Sequence, residues 1–152
     1  MQLSRRFLLV VVIISAVACA SQTGEPGSTV AWSPADDGWR SGIAIAALPA
    51  GFSLVTNVAN EVSVGHRFED GDRRQLEVFR LLEPERFPVE AHPLETSNGI
   101  TYQQVVGGGT TQVFFEKNGV RLGASSPNLS VDELLAIAKS ITYDPEADQP
   151  SG

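Results

Sequence analysis

Apolar and polar positions alternate most regularly in the middle of the chain. Val62, Val64, His66 and Phe68 are separated by Ser63, Gly65, Arg67 and Glu69, which is the period-two signature of a half-buried strand. Asp70-Gly71 turns the chain, and Arg74–Leu82 returns as a second strand, apolar at Leu76, Val78, Phe79, Leu81 and Leu82. The doubling at 78–79 and 81–82 leaves the facing open between a bulge and a strand covered on both sides. Upstream, Gly42–Leu48 is a short apolar run stopped by Pro49-Ala50-Gly51, and Phe52–Val58 continues as a strand. Downstream, Ile100–Val106 is a strand broken at Gly107-Gly108-Gly109. Thr110–Lys117 and Val120–Ser125 then flank Asn118-Gly119, a strong hairpin signal. Val113 and Phe115 share one face of that strand, and Gln112, Phe114 and Glu116 share the other. Glu83–Pro93, with three prolines and four charges, reads as an irregular connection.

The pattern then changes period. Ser130-Val131-Asp132-Glu133 fits a helix capping box, and Val131, Leu134, Leu135, Ala138 and Ile141 recur at helical spacing with Ile137 beside them. Asp132 and Glu133 sit at the positive end of the helix dipole and Lys139 at the negative end. Hairpins followed by a helix predict an α+β fold. The expected form is a curved antiparallel sheet of about six strands, with one C-terminal helix packed across a face. This single domain covers residues 42–144, and residues 145–152 read as a disordered polar tail.

The N-terminal pattern is different again. Arg5 and Arg6 precede an apolar run from Phe7 to Val17 that ends in small residues, the order found in a secretory signal peptide. The run is shorter than the ~20 residues needed to span a bilayer as a helix. Ala16-Val17-Ala18-Cys19 resembles the lipobox of bacterial lipoproteins, with Ala16 where that family more often has leucine. The resemblance implies cleavage after residue 18, lipidation of Cys19, and attachment to the cell membrane on its extracytoplasmic face. The alternative is ordinary cleavage near Ala18. Cys19 is the sole cysteine, so no intramolecular disulfide can form. Residues 19–41, rich in Ser, Thr, Gly and Pro, read as a flexible linker. Trp32 and Trp39 stand out in it, either packed on the domain edge or serving as an interfacial anchor or ligand lid.

Charge narrows the partners. The chain carries a formal charge of −7, and removal of Arg5 and Arg6 with the leader makes it −9. This balance speaks against nucleic acid, which rewards basic patches, and against anionic headgroups. Chemistry is sparse. His66 falls on the apolar parity of its strand, and His92 sits in the proline-rich connection. Two separated histidines do not supply the ligands of a metal site. Glu83, Glu85, Glu90 and Glu95 are dense but lack a calcium-loop pattern. The glycine triplet lacks the lysine and helix of a phosphate cradle, and no G-x-S-x-G elbow is present. No catalytic residue and no cofactor are implied.

Residues from about Leu48 to Tyr143 resemble a group of bacterial extracytoplasmic domains found in actinobacterial lipoproteins and at the outer ends of anti-sigma factors. The resemblance is carried by Leu48-Pro49-Ala50-Gly51-Phe52, by the hairpin segment Asn98–Leu122 and by the closing segment Leu129–Ile141. It implies a curved sheet with a helix against it, loosely similar to the half-barrels of lipoprotein carriers and of periplasmic sigma-regulators of the MucB/RseB type. It supplies no catalytic residues. The expected function is a lipid-anchored, extracytoplasmic, non-catalytic binding or sensor module, held to the membrane through Cys19 and engaging an envelope protein or lipid. The alternative is a carrier of a lipid or other apolar ligand in the concave sheet face, with Phe79, Phe114 and Trp39 facing the ligand. A hydrolase is the third reading.

Overall fold

The computed structural model describes residues 27–34 and 41–147. Its strands are β1 (Thr29–Trp32), β2 (Ile43–Pro49), β3 (Ser53–Ala59), β4 (Ser63–Glu69), β5 (Gln75–Leu82), β6 (His92–Ser97), β7 (Ile100–Gly107), β8 (Thr110–Lys117), β9 (Val120–Ser126) and β10 (Ile141–Tyr143). A single 3-10 turn, Pro84–Arg86, follows β5, and the helix α1 (Val131–Lys139) follows β9. Seven strands form one sheet in the order β3-β4-β5-β9-β8-β7-β6, and β1-β2-β10 form a smaller one. Every pairing is antiparallel. The fold is α+β, as the pattern predicts.

The four strands β6 to β9 form a meander because each connection is a two-residue turn with positive φ at both positions. These turns are Asn98-Gly99, Gly108-Gly109 and Asn118-Gly119, the backbone that matches the twist of paired strands. β9 then pairs with β5, which places the β4–β5 hairpin beside the meander and leaves β3 at one edge. The doubled apolar positions of β5 contain no bulge, since its registers with β4 and β9 run without a shift. Leu76, Val78 and Arg80 face the core and are buried, whereas Phe79 and Leu81 face the other way and are half-buried.

The core lies on one face of the large sheet. Phe68, Leu76, Val78, Tyr102, Val113, Phe115, Leu122 and Ala124 pack there against Leu134, Ile137 and Ala138 of α1 and Ile43, Ile45, Leu48 and Ile141 of the small sheet. The helix starts as its capping box dictates. Ser130 Oγ accepts from the Glu133 amide at 3.2 Å, and Glu133 Oε2 accepts from the Ser130 amide at 2.8 Å. That backbone bond holds the Glu133 carboxyl below its ordinary value.

The structure corrects the sequence reading in four places. Part of the 19–41 linker is a strand: Thr29–Trp32 pairs with β2 across a register shift, because Thr-Val-Ala-Trp is β-prone whatever the texture around it. Ile141 is not the last turn of the helix. The helix ends at Lys139, and Ile141 enters the core from β10, opposite Ile45. The Glu83–Pro93 connection is not irregular to its end: β6 begins at His92, and its Pro93 is tolerated because β6 is an edge. The first residues of the tail are folded: Glu146 N–H donates to Asp144 Oδ1 at 2.9 Å and Ala147 N–H to the Asp144 carbonyl at 3.2 Å. The expected limits of the domain also meet, since the Asp144 amide donates to the Gly42 carbonyl at 2.8 Å.

Candidate functional site

A nine-residue helix is roughly 13 Å long. The face of seven strands is about 29 Å wide at the usual strand spacing. α1 and the small sheet therefore leave part of the core face uncovered, and a cleft of about 400 Å³ opens there. Ile100 and Tyr102 of β7 and Phe115 of β8 form one wall, with the Tyr102 and Phe115 rings edge to face at 5.3 Å. Val120 and Leu122 of β9 line its floor, and Ile141 and Tyr143 of β10 close the far side with Pro145.

Two charged side chains line this cleft, and both are cationic. Lys117 ends β8 on the same parity as Val113 and Phe115, opposite Val120. Lys139 ends α1. Its Nζ lies 2.5 Å from Glu95 Oε1 and 5.9 Å from the Tyr102 ring centre. A second depression of about 540 Å³, at Val89, Glu90, His92, Val105 and Val106, is bounded by only those five side chains and encloses little.

His66 is fully buried within a polar network joining the two sheets. Its Nδ1 lies 2.7 Å from Asn57 Oδ1 on β3, and its Nε2 lies 2.6 Å from Ser41 Oγ just before β2. An amide oxygen can only accept, which assigns the proton to Nδ1 and lets Nε2 accept from the Ser41 hydroxyl. Ser41 Oγ also accepts from the Ile43 amide at 3.1 Å, and Arg80 Nε donates to the Ser41 carbonyl at 3.1 Å. Trp32 packs over this network, 4.8 Å from the imidazole and 4.9 Å from Phe68 between ring centres. Burial, with the Arg80 charge beside it, pushes the His66 pKa down to about 4. These distances match those of a hydroxyl activated by a base. However, Ser41 and His66 are 1% and 0% exposed, and neither lines the clefts described. Their visible role is to fasten β2 to β3 and β4.

Phe79 and Phe114 lie on the sheet face opposite the core. The registers place Gly65, Phe79, Gly123, Phe114 and Gln103 in one row across five strands. Phe114 is only 1% exposed, with the Arg121 guanidinium 4.8 Å from its ring centre. Arg121 is held in turn by Glu116 at 2.7 Å and by the Phe87 carbonyl at 3.0 Å. Phe114 is thus enclosed, Phe79 remains half-buried, and neither lines the 400 Å³ cleft. Trp39 and Cys19 lie outside the described residues. Trp32 packs on the domain edge, and His92 is exposed at the start of β6. Among the described residues no group of His, Cys, Asp and Glu could hold a metal ion, and no helix is long and apolar enough to cross a membrane.

The residues that line the cleft carry one signal in the sequence. Lys117 continues the parity of Val113 and Phe115, so a cation falls where the alternation calls for an apolar side chain. No family model, curated protein or solved structure matches the chain.

Proposed function

We propose that this protein is a lipid-anchored binding module on the extracytoplasmic face of a bacterial cell membrane, without catalysis of its own, that holds a small apolar ligand in the cleft between α1, β10 and β7–β9. The observation that carries the reading is the cleft itself. Its volume of about 400 Å³ falls within the ~300–1,000 Å³ typical of small-molecule sites, and its walls are apolar and aromatic with few polar groups, as such sites require. The leader and Cys19 support the location. On this reading the ligand lies on the helix-covered face, not beside Phe79 and Phe114.

Native mass spectrometry of the full-length protein, released from membranes in mild detergent, tests the reading. The expected result is one additional mass of lipid or metabolite size, lost when Val120→Trp fills the cleft. A ligand-free mass for the unaltered protein would refute it.

A second reading is supported by the β3 edge. Leu54, Val55 and Val58 are 41%, 57% and 40% exposed along a strand paired on one side only. Such an edge accepts an extended segment from a partner, here an envelope protein, by strand addition. Proline substitution at Val55 is expected to abolish partner capture while leaving the cleft intact.

A further inference from the structure

We infer that the cleft selects a single-chain amphiphile with an anionic head, the chain lying against Tyr102, Phe115 and Leu122 and the head paired with Lys117. This rests on the reading of the cleft as a ligand site and adds the chemical class of the ligand. Three observations lead to it.

The first is the sign of the charges. The chain carries 18 acidic against 11 basic residues, yet the charged side chains lining the cleft are both lysines. The overall acidity does not oppose an anion at this spot, because exposed charges beyond about 10 Å are largely screened at ordinary ionic strength. The local charge, two lysines against the single Glu95 paired with one of them, decides the sign.

The second is that the two lysines are not equivalent. Lys139 is engaged by Glu95 at 2.5 Å. Lys117 makes no ion pair among the described residues and sits at the strand end on the core parity. A lysine can lay its methylene stem along an apolar wall and present its ammonium at the rim. That geometry suits an anionic head at the mouth with its chain inside.

The third is size. About 400 Å³ is near the low end of the range for small-molecule sites, enough for one chain and too little for a two-chain phospholipid.

The test uses the full-length protein in phosphatidylcholine nanodiscs with two photoactivatable probes of equal chain length, a diazirine-bearing dodecanoic acid and the corresponding dodecanol, in mildly alkaline buffer. Crosslinks are mapped by peptide mass spectrometry, and half-saturation is read from the labelling yield. Both probes are expected to label residues 100–102 and 115–122. Lys117→Gln should raise half-saturation for the acid about three- to fivefold, the scale of one rim ion pair, and leave the alcohol unchanged. Glu95→Gln, which releases Lys139, should tighten the acid alone. If Lys117→Gln shifts the two probes equally or shifts neither, the anionic preference is overturned while the ligand site stands. If neither probe labels these segments, the ligand site itself falls.

Discussion

Gly123→Ala should be among the most damaging single-methyl additions in this protein. Gly123 sits between Phe79 and Phe114 in the row on the outer sheet face. A Cβ there would lie 2.6 Å from Phe114 Cβ, 2.6 Å from the Val113 carbonyl oxygen and 2.9 Å from Phe114 Cα. None of these atoms can swing aside by changing a rotamer, so β8 and β9 must separate. Phe114 cannot follow freely, because Arg121 lies over its ring and is tied to Glu116 and the Phe87 carbonyl. Overpacking of this kind costs ~1–3 kcal/mol, and partial exposure of Phe114 adds a share of the ~1.5–3 kcal/mol gained by burying a large apolar side chain. Against this stands the ~0.5–1 kcal/mol by which alanine is favoured over glycine in a strand. The net loss is about 2–3 kcal/mol, which for a domain near a hundred residues lowers Tm by roughly 10–20 °C. Gly65→Ala is the matched control. It neighbours the same Phe79, but its Cβ would meet Glu77 Oε1 at 3.4 Å and the Val78 carbonyl oxygen at 3.5 Å, ordinary van der Waals contacts. Thermal and urea unfolding of both variants, followed by circular dichroism, should separate them clearly. If Gly123→Ala melts within a few degrees of Gly65→Ala, the close approach of β8 and β9 is refuted.

Other predictions follow from the polar network and the helix cap. His66 titrates at about 4 in the fold against about 6.5 in an unfolded chain, so the unfolded state binds the extra proton first. Its stabilising contribution, at most ~3 kcal/mol, is therefore complete above about pH 6.5 and lost as pH falls toward 4. Urea titrations across that window should show the slope in the unaltered protein and a weaker one in His66→Gln. Trp32→Ala should admit water to the imidazole and raise its pKa toward the ordinary value, as read from the pH dependence of the histidine ring signals by NMR. Unchanged titration would mean that Trp32 does not shield the network. Ser130→Ala removes the side-chain acceptor from the Glu133 amide and should cost about 1 kcal/mol, checked by the urea midpoint at constant m.

The elements that could be read from the sequence are those whose cause is local. The helix declares itself through Ser130 and Glu133, and the β4–β5 and β8–β9 hairpins through alternation and their turns. Asn98-Gly99 is the same dipeptide as Asn118-Gly119, yet β6 stayed hidden because Pro93 reads as a break and only its edge position makes it harmless. β1 and β10 could not be read for a different reason. Each is stabilised by pairing with β2, and for β10 the partner is about a hundred residues away in the chain, with no local signature. Ile141 illustrates the ambiguity, since it fits the helical stripe by spacing and still belongs to a strand. The same limit applies to the site. Alternation correctly sets Phe114 opposite Val113 and Phe115, but it says nothing of Arg121 one strand away, which covers it. The cleft arises from the short helix on the wide sheet, and only Lys117 marks it beforehand.

If the chain is anchored at Cys19 as proposed, the pairing of Thr29–Trp32 with β2 also limits the length of its leash. With anchorage at Cys19, a linker running to Ser41 would let the domain reach roughly 75 Å from the lipid at full extension. With Thr29 paired to β2, the ten residues from Cys19 to Ser28 can reach at most about 35 Å. That is about the width of the large sheet, so a protein anchored as proposed would work against the bilayer surface. A ligand leaving the outer leaflet could enter the cleft after a short transfer, and a protein partner would have to come to the membrane to be met.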